Sequence, residues 1–264
     1  MDTEINSSNE EQQGFTSEEL KPEHESTYKK IVAWSQKPQS RLLLAACATF
    51  GFIFTCFIFV FQIVLTPIIV VGASMQPTIN VSAAGSGYDV NCDIVYYYPE
   101  ETYSRNDIVI IDGNYAHGVT KIIKRIIATP NQTIKFEVDS EKPSAYTQIK
   151  KYFVVSVFVN DNKLDEPYIK ETMEIKLYKD YSQKNYEQSY YAFYDDFTKK
   201  LDADGMVEYT LGSDEYFCMG DNRNNSTDSR YFGMVKASDI EGRVVLHVKH
   251  GESLFIVIWK RIFG

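Results

Sequence analysis

One serine in the sequence lies in a setting that suits a nucleophile. Ser74 is part of the stretch Val70–Thr78, which reads VVGASMQPT. The small residues Gly72 and Ala73 allow another backbone to approach closely, and Pro77 stiffens the chain just beyond the serine. A serine held in this way can attack a carbonyl carbon while its own backbone N–H faces the oxyanion that forms. The alternative is a plain loop without chemistry.

A serine nucleophile needs a base, and the sequence favours a lysine for this role. The strand-like run Thr120–Ile127, TKIIKRII, contains two lysines whose side chains would point to opposite faces of a strand. Lys124 shares its face with Ile122 and Ile126, where desolvation would lower its pKa to near 8 at a cost of about 3 kcal/mol. A neutral lysine can accept the serine proton. A surface lysine that extends its amine into solvent is the alternative.

The four histidines do not form a recognisable catalytic triad with Ser74. His24 precedes a long apolar segment, His117 lies in a glycine-flanked turn, and His247 and His250 form at most a weak metal pair. The four cysteines contain no CxxC spacing, which argues against a cysteine zinc site. We therefore expect no metal and no cofactor, while a disulfide between the two cysteines beyond the apolar segment stays open.

A polar segment forms the third candidate element of the site. The stretch Met219–Tyr231 reads MGDNRNNSTDSRY and follows a strand-like run. Two Asp, two Arg and two Ser within eleven residues exceed what a plain turn requires. Bidentate pairs between arginine and carboxylate, together with serine hydroxyls, can hold a catalytic site in place. The alternative is an Asn-rich surface loop.

A long apolar segment precedes the serine. Residues 42–71 contain no charged side chain, and a helix of about 20 apolar residues can cross a bilayer. We expect a transmembrane helix over residues 42–66, with Pro67 as its natural stop. A cleaved signal peptide or a buried core helix fits this length and composition poorly. The positive-inside rule places the N-terminus in the cytoplasm, because the preceding segment carries Lys29, Lys30, Lys37 and Arg41.

Beyond this segment the sequence is typical of a β protein. Runs of β-branched and aromatic residues predict strands over 93–98, 107–111, 119–127, 133–138, 152–159, 215–219 and 242–248. A turn is expected at 160–163, Leu254–Trp259 is expected to be a terminal strand, and no long helical periodicity follows the span. The predicted fold is mostly β: an antiparallel, barrel-like catalytic core with a β-rich insertion, preceded by one N-terminal transmembrane helix.

The predicted organisation has three parts. Residues 1–41 form a cytoplasmic tail, residues 42–66 the membrane helix and residues 67–264 an extracytoplasmic domain, within which about 140–213 looks like an insertion. The formal net charge of −9 gives a nucleic-acid partner no electrostatic support. We expect a monomer in a lipid bilayer, in the cell membrane.

With these pieces in place, the sequence resembles the bacterial type I signal peptidases, which are membrane-bound Ser/Lys endopeptidases. The resemblance covers nearly the whole chain from the span onward. It rests on four segments that follow one another in order: SMQPT at 74–78, NDIV at 106–109, KRII at 124–127, and GDNR at 220–223 continuing through SxDSR at 226–230.

The resemblance implies a role for each matching residue. Ser74 matches the nucleophile, Lys124 the general base and Ser226 the hydroxyl that orients the lysine. Asp228 and Arg230 match an ion pair beside the site, and Asp221 with Arg125 matches a second pair. The family carries Ser or Gly two positions before the nucleophile. Gly72 offers no side-chain donor there, so the second donor to the oxyanion stays open.

The resemblance also implies a substrate. The family cleaves signal-peptide-bearing preproteins and prefers small side chains at the first and third positions before the cut. Wall residues of the pocket are expected among the neighbours of the two catalytic positions, although core packing is the other reason for an apolar residue there: Val70, Met75, Ile79 and Ile123. Asn106 and Asn131 stand where the family usually has turn glycines, and asparagine tolerates a positive φ.

Two other functions stay open on the sequence. The chain could be a dedicated processing peptidase for a single pilin-like substrate. It could also be a membrane-tethered binding protein that has lost its activity.

Overall fold

The computed structural model describes residues 22–80, 91–115, 120–179 and 188–263. Residues 1–21, which include most of the expected cytoplasmic tail, and His117 lie outside the described residues. The chain divides into two compact units, Met1–Phe61 and Gln62–Gly264, which are described in turn.

The first unit is helical. Helix α1 spans Pro22–Ser35 and helix α2 spans Pro38–Val64, running three residues into the second unit. Proline suits the first turn of a helix because its fixed φ is already helical and its missing N–H would have no partner there. The stretch Pro38–Phe59 is long and apolar enough to cross a membrane, and every residue in it except Ser40 is exposed. The helix begins four residues before the predicted span and ends two residues before its predicted end.

The second unit is built mainly from β-strands, as the sequence predicts. Among the described residues there are twelve strands: β1 (Thr66–Ile69), β2 (Ile94–Tyr98), β3 (Ile108–Asp112), β4 (Lys121–Ala128), β5 (Thr133–Pro143), β6 (Ile149–Val159), β7 (Asn162–Lys163), β8 (Glu174–Tyr178), β9 (Met206–Thr210), β10 (Glu215–Met219), β11 (Val235–Lys236) and β12 (Ile240–Val248). Every predicted strand from 93 to 248 corresponds to one of them. The remaining helices are α3 (Gln188–Asp204), α4 (Ser229–Phe232) and α5 (Leu254–Phe263).

The strands form two antiparallel sheets. The larger sheet has the order β1-β2-β12-β3-β4-β10-β11, and the smaller has the order β7-β6-β5-β9 with β8 paired to β6. Pro67 lies in β1, at the edge of the larger sheet, where a residue without an N–H is tolerated. The first half of the predicted turn at 160–163 is confirmed, since Asn160 and Asp161 both have a positive φ (49° and 61°) between β6 and β7. Its second half, Asn162–Lys163, is instead strand β7.

The smaller sheet and α3 belong to one inserted segment, residues 129–214, which we call the excursion because it lies between two neighbouring strands of the larger sheet. Strands β4 and β10 are adjacent and antiparallel in the larger sheet, although 86 residues separate Ala128 from Glu215 along the chain. The smaller sheet and α3 occupy this interval and begin at Thr133, a few residues before the expected start of the insertion. The chain therefore leaves the larger sheet after β4, builds a second layer and returns beside the strand it left.

Two segments differ from their expected structure. Helix α3 lies where no long helical pattern was recognised, and its buried side chains Tyr194, Phe197 and Leu201 follow the spacing of one helix face. Leu254–Trp259, predicted as a terminal strand, belongs instead to helix α5. Both segments are rich in aromatic or β-branched residues, which favour strands when only residue type is considered. They form helices because side chains spaced three or four residues apart lie on the same side and pack against the rest of the unit.

Three hydrophobic clusters form the core of the second unit. One fills the space between the smaller sheet and α3 around Phe136, Phe153 and Phe197. The other two lie on opposite faces of the larger sheet, because Val109 and Ile111 belong to one cluster and Ile110 to the other. Strand β4 is buried along most of its length, so a charged side chain in its middle has no direct access to solvent.

Candidate active site

Ser74 and Lys124, fifty positions apart in the sequence, lie within hydrogen-bond distance in the structure. Ser74 is half-buried in the loop between β1 and β2, and Lys124 lies in the middle of β4. The amine Nζ of Lys124 lies 3.0 Å from the Oγ of Ser74 and also donates to the carbonyl of Ile123 at 2.9 Å. The second lysine of the strand, Lys121, instead donates to the hydroxyl of Tyr97 at 2.8 Å. The two lysines thus have separate partners, as the strand period predicts.

The environment of Lys124 favours the neutral amine. The side chain is only 4% exposed. Burial lowers the pKa of Lys124 to about 8, against the opposing effect of the negative charge of Asp228. The predicted direction of this pKa shift is confirmed. At neutral pH about a tenth of the amine is unprotonated at that pKa, and this fraction can accept a proton from the adjacent hydroxyl.

The backbone at Ser74 is held by Asn222, a residue to which the sequence reading gave no role. The backbone N–H of Asn222 donates to the carbonyl of Ser74 at 3.0 Å. Its side-chain amide donates to the carbonyl of Ala73 at 3.0 Å. Asn222 belongs to the GDNR segment, so the motif itself was the available signal. These two bonds tie the loop after β10 to the backbone around Ser74.

Gly220 allows this close approach. A Cβ atom at position 220 would overlap both the carbonyl oxygen of Ser74 and the hydroxyl of Ser226. Because real side chains cannot occupy such a position without movement of the backbone, any other residue would push the loop away from the serine.

The two predicted ion pairs are both present and buried. Arg125 donates to the two carboxylate oxygens of Asp221 at 2.8 and 2.7 Å, and Arg230 donates to Asp228 at the same two distances. Burial alone would raise the pKa of Asp228, but the Arg230 guanidinium and the backbone N–H of Gly220 hold it below its usual value. The carboxylate therefore stays charged beside the buried amine.

A third buried pair was not predicted. Arg223 donates to Glu166 at 2.7 Å through Nη1, and the ring of Tyr168 lies under the guanidinium of Arg125, 4.1 Å from ring centroid to Cζ. Both Glu166 and Tyr168 come from the segment after β7. This segment thus connects the excursion to the arginines of the site.

The loop that carries Ser74 is also held at its far end, by Asn80 and Asp93. The sequence analysis did not single out either residue. Asn80 is buried with a positive φ of 67°, and its amide donates to the carbonyls of Val70 and Gly72 at 3.0 and 2.9 Å. The carboxylate of Asp93 accepts from the Asn80 N–H, and the Nε2 of His247 lies 2.7 Å from it. This histidine is thus tied to a structural carboxylate and does not approach the dyad by any contact among the described residues.

Ser226 lies in the site but makes no hydrogen bond to Lys124. Its hydroxyl is buried and makes no hydrogen bond of regular geometry among the described residues, although it lies close enough to the Asp228 carboxylate to help lower the pKa of that group. A buried polar group without a partner is uncommon and is often found at functional sites. The predicted role of Ser226 in orienting the lysine stays a prediction.

The four residues expected to line a substrate pocket belong to one core cluster. Val70, Met75, Ile79 and Ile123 are each at most 8% exposed and pack with Val95, Tyr97 and Ile110. Core packing alone accounts for their apolar character. Their contact with substrate stays a prediction.

The loop around Ser74 leaves its backbone N–H available. No described residue accepts a hydrogen bond from this N–H. Gly72 has a φ of 93°, a conformation that favours glycine. Asn106 and Asn131 have φ values of 76° and 63°, which confirms that asparagine takes the left-handed turn positions there.

The family model described as "Signal peptidase, peptidase S26" matches residues 42–249. The chain belongs to this family. Among curated relatives, Signal peptidase I of Streptococcus pneumoniae is 30% identical over 185 residues, which cover 65% of this chain and 76% of that protein. Signal peptidase I of Bacillus amyloliquefaciens is 27% identical over 213 residues, covering 80% and 84%. Among solved structures, a signal peptidase I from Enterococcus faecalis matches 55% of this chain and 97% of that chain, with 20% identity and a TM-score of 0.31.

Proposed function

We propose that this protein is a membrane-bound serine endopeptidase that removes N-terminal signal peptides from secreted preproteins, with Ser74 as the nucleophile and Lys124 as the general base. The observation that carries the proposal is the 3.0 Å contact between the Lys124 amine and the Ser74 hydroxyl, in a position where burial lowers the pKa of the lysine to about 8. Membership of the signal peptidase family supports the substrate class.

The first half of the reaction forms an ester. The Ser74 oxygen attacks the carbonyl carbon at the end of the signal peptide, while its proton passes to the neutral amine of Lys124. The Ser74 N–H donates to the oxyanion of the tetrahedral intermediate. The peptide C–N bond then breaks, and the lysine ammonium returns the proton to the departing amine of the mature protein.

The second half of the reaction releases the signal peptide. Water attacks the ester carbonyl carbon and gives a proton to Lys124, which is neutral again after the first half. The C–O bond breaks, and the proton returns to the oxygen of Ser74. The buried ion pairs of Asp221 and Asp228 serve as fixed supports for the loop and do not take part in proton transfer. Ser226 supplies a hydroxyl that orients the amine.

The proposed surroundings of the dyad follow the same argument. Val70, Met75, Ile79 and Ile123 form the apolar floor beneath the small side chains that precede the cut. Residues 42–66 anchor the protein in the membrane, residues 1–41 lie in the cytoplasm and residues 67–264 lie outside, so that the cut is made where a signal peptide leaves the bilayer. The charges before the span support this orientation.

The test is preprotein processing by the purified full-length protein in detergent or vesicles. Ser74→Ala and Lys124→Ala are each expected to abolish cleavage because one removes the nucleophile and the other the base. Lys124→Arg is also expected to be inactive, since a guanidinium cannot lose its proton in this pH range.

The matched control is Lys121→Ala. This lysine lies on the same strand, but its amine contacts Tyr97 and Glu241. We expect the control variant to process preprotein normally. Normal processing by Ser74→Ala or Lys124→Ala would contradict the dyad. Binding of preprotein without any cleavage by the unaltered protein would favour an inactive binding protein, and cleavage of only one member of a preprotein panel would favour a dedicated peptidase.

A further inference from the structure

The carboxylate of Asp93 joins segments that are distant in the sequence. Asp93 lies just before β2 and is only 2% exposed. Its Oδ2 accepts from the backbone N–H of Asn80 at 2.6 Å and lies 2.7 Å from the Nε2 of His247. Its Oδ1 accepts from the backbone N–H of His250 at 2.9 Å. The loop that carries Ser74, the start of β2 and the end of β12 therefore meet at this carboxylate.

The carboxylate of Asp93 is charged when these contacts form. Burial alone would raise the pKa of Asp93, but hydrogen bonds from His247 and from the N–H groups of His250 and Asn80 hold it below its usual value. An ionised carboxylate only accepts hydrogen bonds, so the Nε2 of His247 carries a proton. Both the imidazolium and the neutral ring protonated on Nε2 meet this condition. The contact therefore persists whether or not the ring is charged.

Asn80 transmits the position of Asp93 to the serine loop. Asn80 is fully buried, and its Oδ1 accepts from the backbone N–H of Asp93 at 3.1 Å, so two reciprocal bonds join these residues. The side-chain amide of Asn80 donates to the carbonyls of Val70 and Gly72 at 3.0 and 2.9 Å. The side chain of Asn80 therefore cannot move unless Asp93 or the loop moves with it.

The carbonyl of Gly72 matters because a peptide unit is planar. Holding this carbonyl fixes the plane of the Gly72–Ala73 peptide, which precedes the peptide that carries the N–H of Ser74. Asn222 holds the next carbonyl, that of Ala73, from the loop after β10. The two asparagines thus fix two consecutive peptide planes before the proposed nucleophile. A rotation of either plane would move both the Oγ and the N–H of Ser74.

His247 is the one side chain among the described residues that donates to Asp93, since the other two donors are backbone N–H groups. It lies in β12, in register with Val95 of β2. Strand β12 pairs with both β2 and β3 inside the larger sheet, so it gives the ring a fixed support. The imidazole therefore connects the serine loop to the interior of the sheet, and a substitution can remove this contact without altering the loop itself.

We propose that His247 is a positioning residue of the peptidase, which holds Gly72 through Asp93 and Asn80 and thereby orients the Oγ and the N–H of Ser74. This role rests on the proposed function of Ser74. His247 touches neither member of the dyad by any contact among the described residues, and it moves no proton in the reaction. The alternative is that the pair of His247 and Asp93 only stabilises the fold, which would lower stability and leave the kinetic constants normal.

The kinetic test compares His247→Ala with His247→Gln in the purified full-length protein. Alanine removes the donor, whereas the amide of glutamine can take the place of Nε2–H. We expect kcat of His247→Ala to fall about tenfold at an unchanged KM, within the loss of about 100-fold that a misplacement of about 1 Å can cause. His247→Gln should recover most of this loss. The midpoint of the pH profile should stay at about 8 in both variants, since Lys124 lies outside this chain of contacts.

His250→Ala is the matched control. The side chain of His250 is exposed, and its bond to Asp93 comes from the backbone, which alanine keeps. We expect normal kcat and KM from this variant. Should His247→Ala not fold, His247→Asn takes its place, because the shorter amide does not reach Asp93.

A second measurement does not depend on catalysis. Hydrogen–deuterium exchange followed by mass spectrometry reports the protection of a peptide that covers residues 70–80. We expect faster exchange of this peptide in His247→Ala, and exchange like that of the unaltered protein in His247→Gln and His250→Ala.

Two results would overturn the proposed role of His247. Unchanged exchange over residues 70–80 in His247→Ala would show that the imidazole does not hold the loop. Normal kcat in that variant, or a loss that His247→Gln does not recover, would show that this hold does not position the serine. Failure of the unaltered protein to cleave any preprotein would instead overturn the proposed function, and the exchange data would still decide whether His247 holds the loop.

Discussion

At the scale of single residues, the site depends on one buried amine that is kept close to its neutral state. Lys124 has lost its hydration, and the shift of its pKa from 10.5 to about 8 corresponds to about 3 kcal/mol of differential interaction. The buried carboxylate of Asp228 opposes the shift but is itself neutralised by Arg230. The lysine can therefore act as the proposed base near neutral pH while the structural ion pairs beside it stay charged.

Asn222 should contribute to catalysis through its hold on the serine backbone. Asn222→Ala removes the side-chain bond to the Ala73 carbonyl and leaves the backbone bond to Ser74. A hydrogen bond of this kind is worth about 1 kcal/mol, so kcat/KM is expected to fall about fivefold, because the nucleophile is less well placed. The exposed neighbour Asn225→Ala is the control. Equal kcat/KM values for the two variants would show that the side chain of Asn222 does not position the serine.

Some features of the site can be predicted from the sequence at the scale of single residues, and others cannot. Ser74, Lys124, Asp228 and Arg230 stand in local motifs, and the alternation of a strand already separates Lys124 from Lys121. The contact between Asn80 and Asp93 has no such pattern, because it joins the end of one loop to the start of β2 across thirteen positions. The burial of the Ser226 hydroxyl without a hydrogen bond of regular geometry is likewise a result of three-dimensional packing.

At the scale of elements, the meeting of β4, β10 and the loop after β10 creates the site. Arg125 pairs in register with Met219, so the strand that carries the lysine lies directly beside the strand that leads into the polar loop. Gly220 then lets this loop touch the backbone of Ser74. The chemistry is assembled by strand pairing, and the excursion between the two strands does not interrupt it.

Gly220→Ala tests this close approach. The added Cβ would overlap the Ser74 carbonyl and the Ser226 hydroxyl, so we expect a large loss of kcat and a loss of stability of about 1–3 kcal/mol. The midpoint of thermal unfolding should fall by about 2–4 °C per kcal/mol for a domain of this size. Gly212→Ala is the control, because its Cβ would meet only the flexible side chain of Glu215. A Gly220→Ala protein with normal kcat would contradict the proposed contact.

The sequence predicted an element correctly where a run of β-branched and aromatic residues between turn residues indicated a strand, or where a long uncharged run indicated a membrane-spanning helix. Strand β10 matches its prediction at both ends, and helix α2 is recognised from its uncharged length. The start of helix α5 was predicted wrongly as a strand because the six residues Leu254–Trp259 are all apolar, and so short a run has no period that separates a helix from a strand. Helix α3 was missed because its aromatic residues favour strands, and only its packing on the smaller sheet fixes the helix.

At the scale of the whole molecule, the charges before the span fix the proposed orientation in the membrane. Fusion of alkaline phosphatase or of a green fluorescent protein after Gly264 tests this orientation in a bacterial host. The phosphatase fusion is expected to be active and the fluorescent fusion dark, because the phosphatase needs an oxidising compartment for its disulfides. Replacement of Lys29, Lys30, Lys37 and Arg41 by Gln should reduce the phosphatase signal. A bright fluorescent fusion with an inactive phosphatase would contradict the orientation.

The domain boundaries and the monomeric state stay predictions at this scale. The second unit begins at Gln62, within α2, and contains both sheets. The smaller sheet is attached to the site through Glu166 and Tyr168, which bind the arginines of β4 and of the polar loop. We infer that the insertion supports the geometry of the site and is more than an appendage.

The measurement that tests the central claim most directly is the dependence of kcat/KM on pH for cleavage of a signal-peptide substrate by the full-length protein. With Lys124 as the base, kcat/KM should rise about tenfold per pH unit from pH 6 and reach a plateau above a midpoint of about 8, because only the neutral amine can accept the serine proton. A midpoint near 6.5, as for an ordinary histidine, or a rate that does not change between pH 6 and 9, would contradict the proposed dyad.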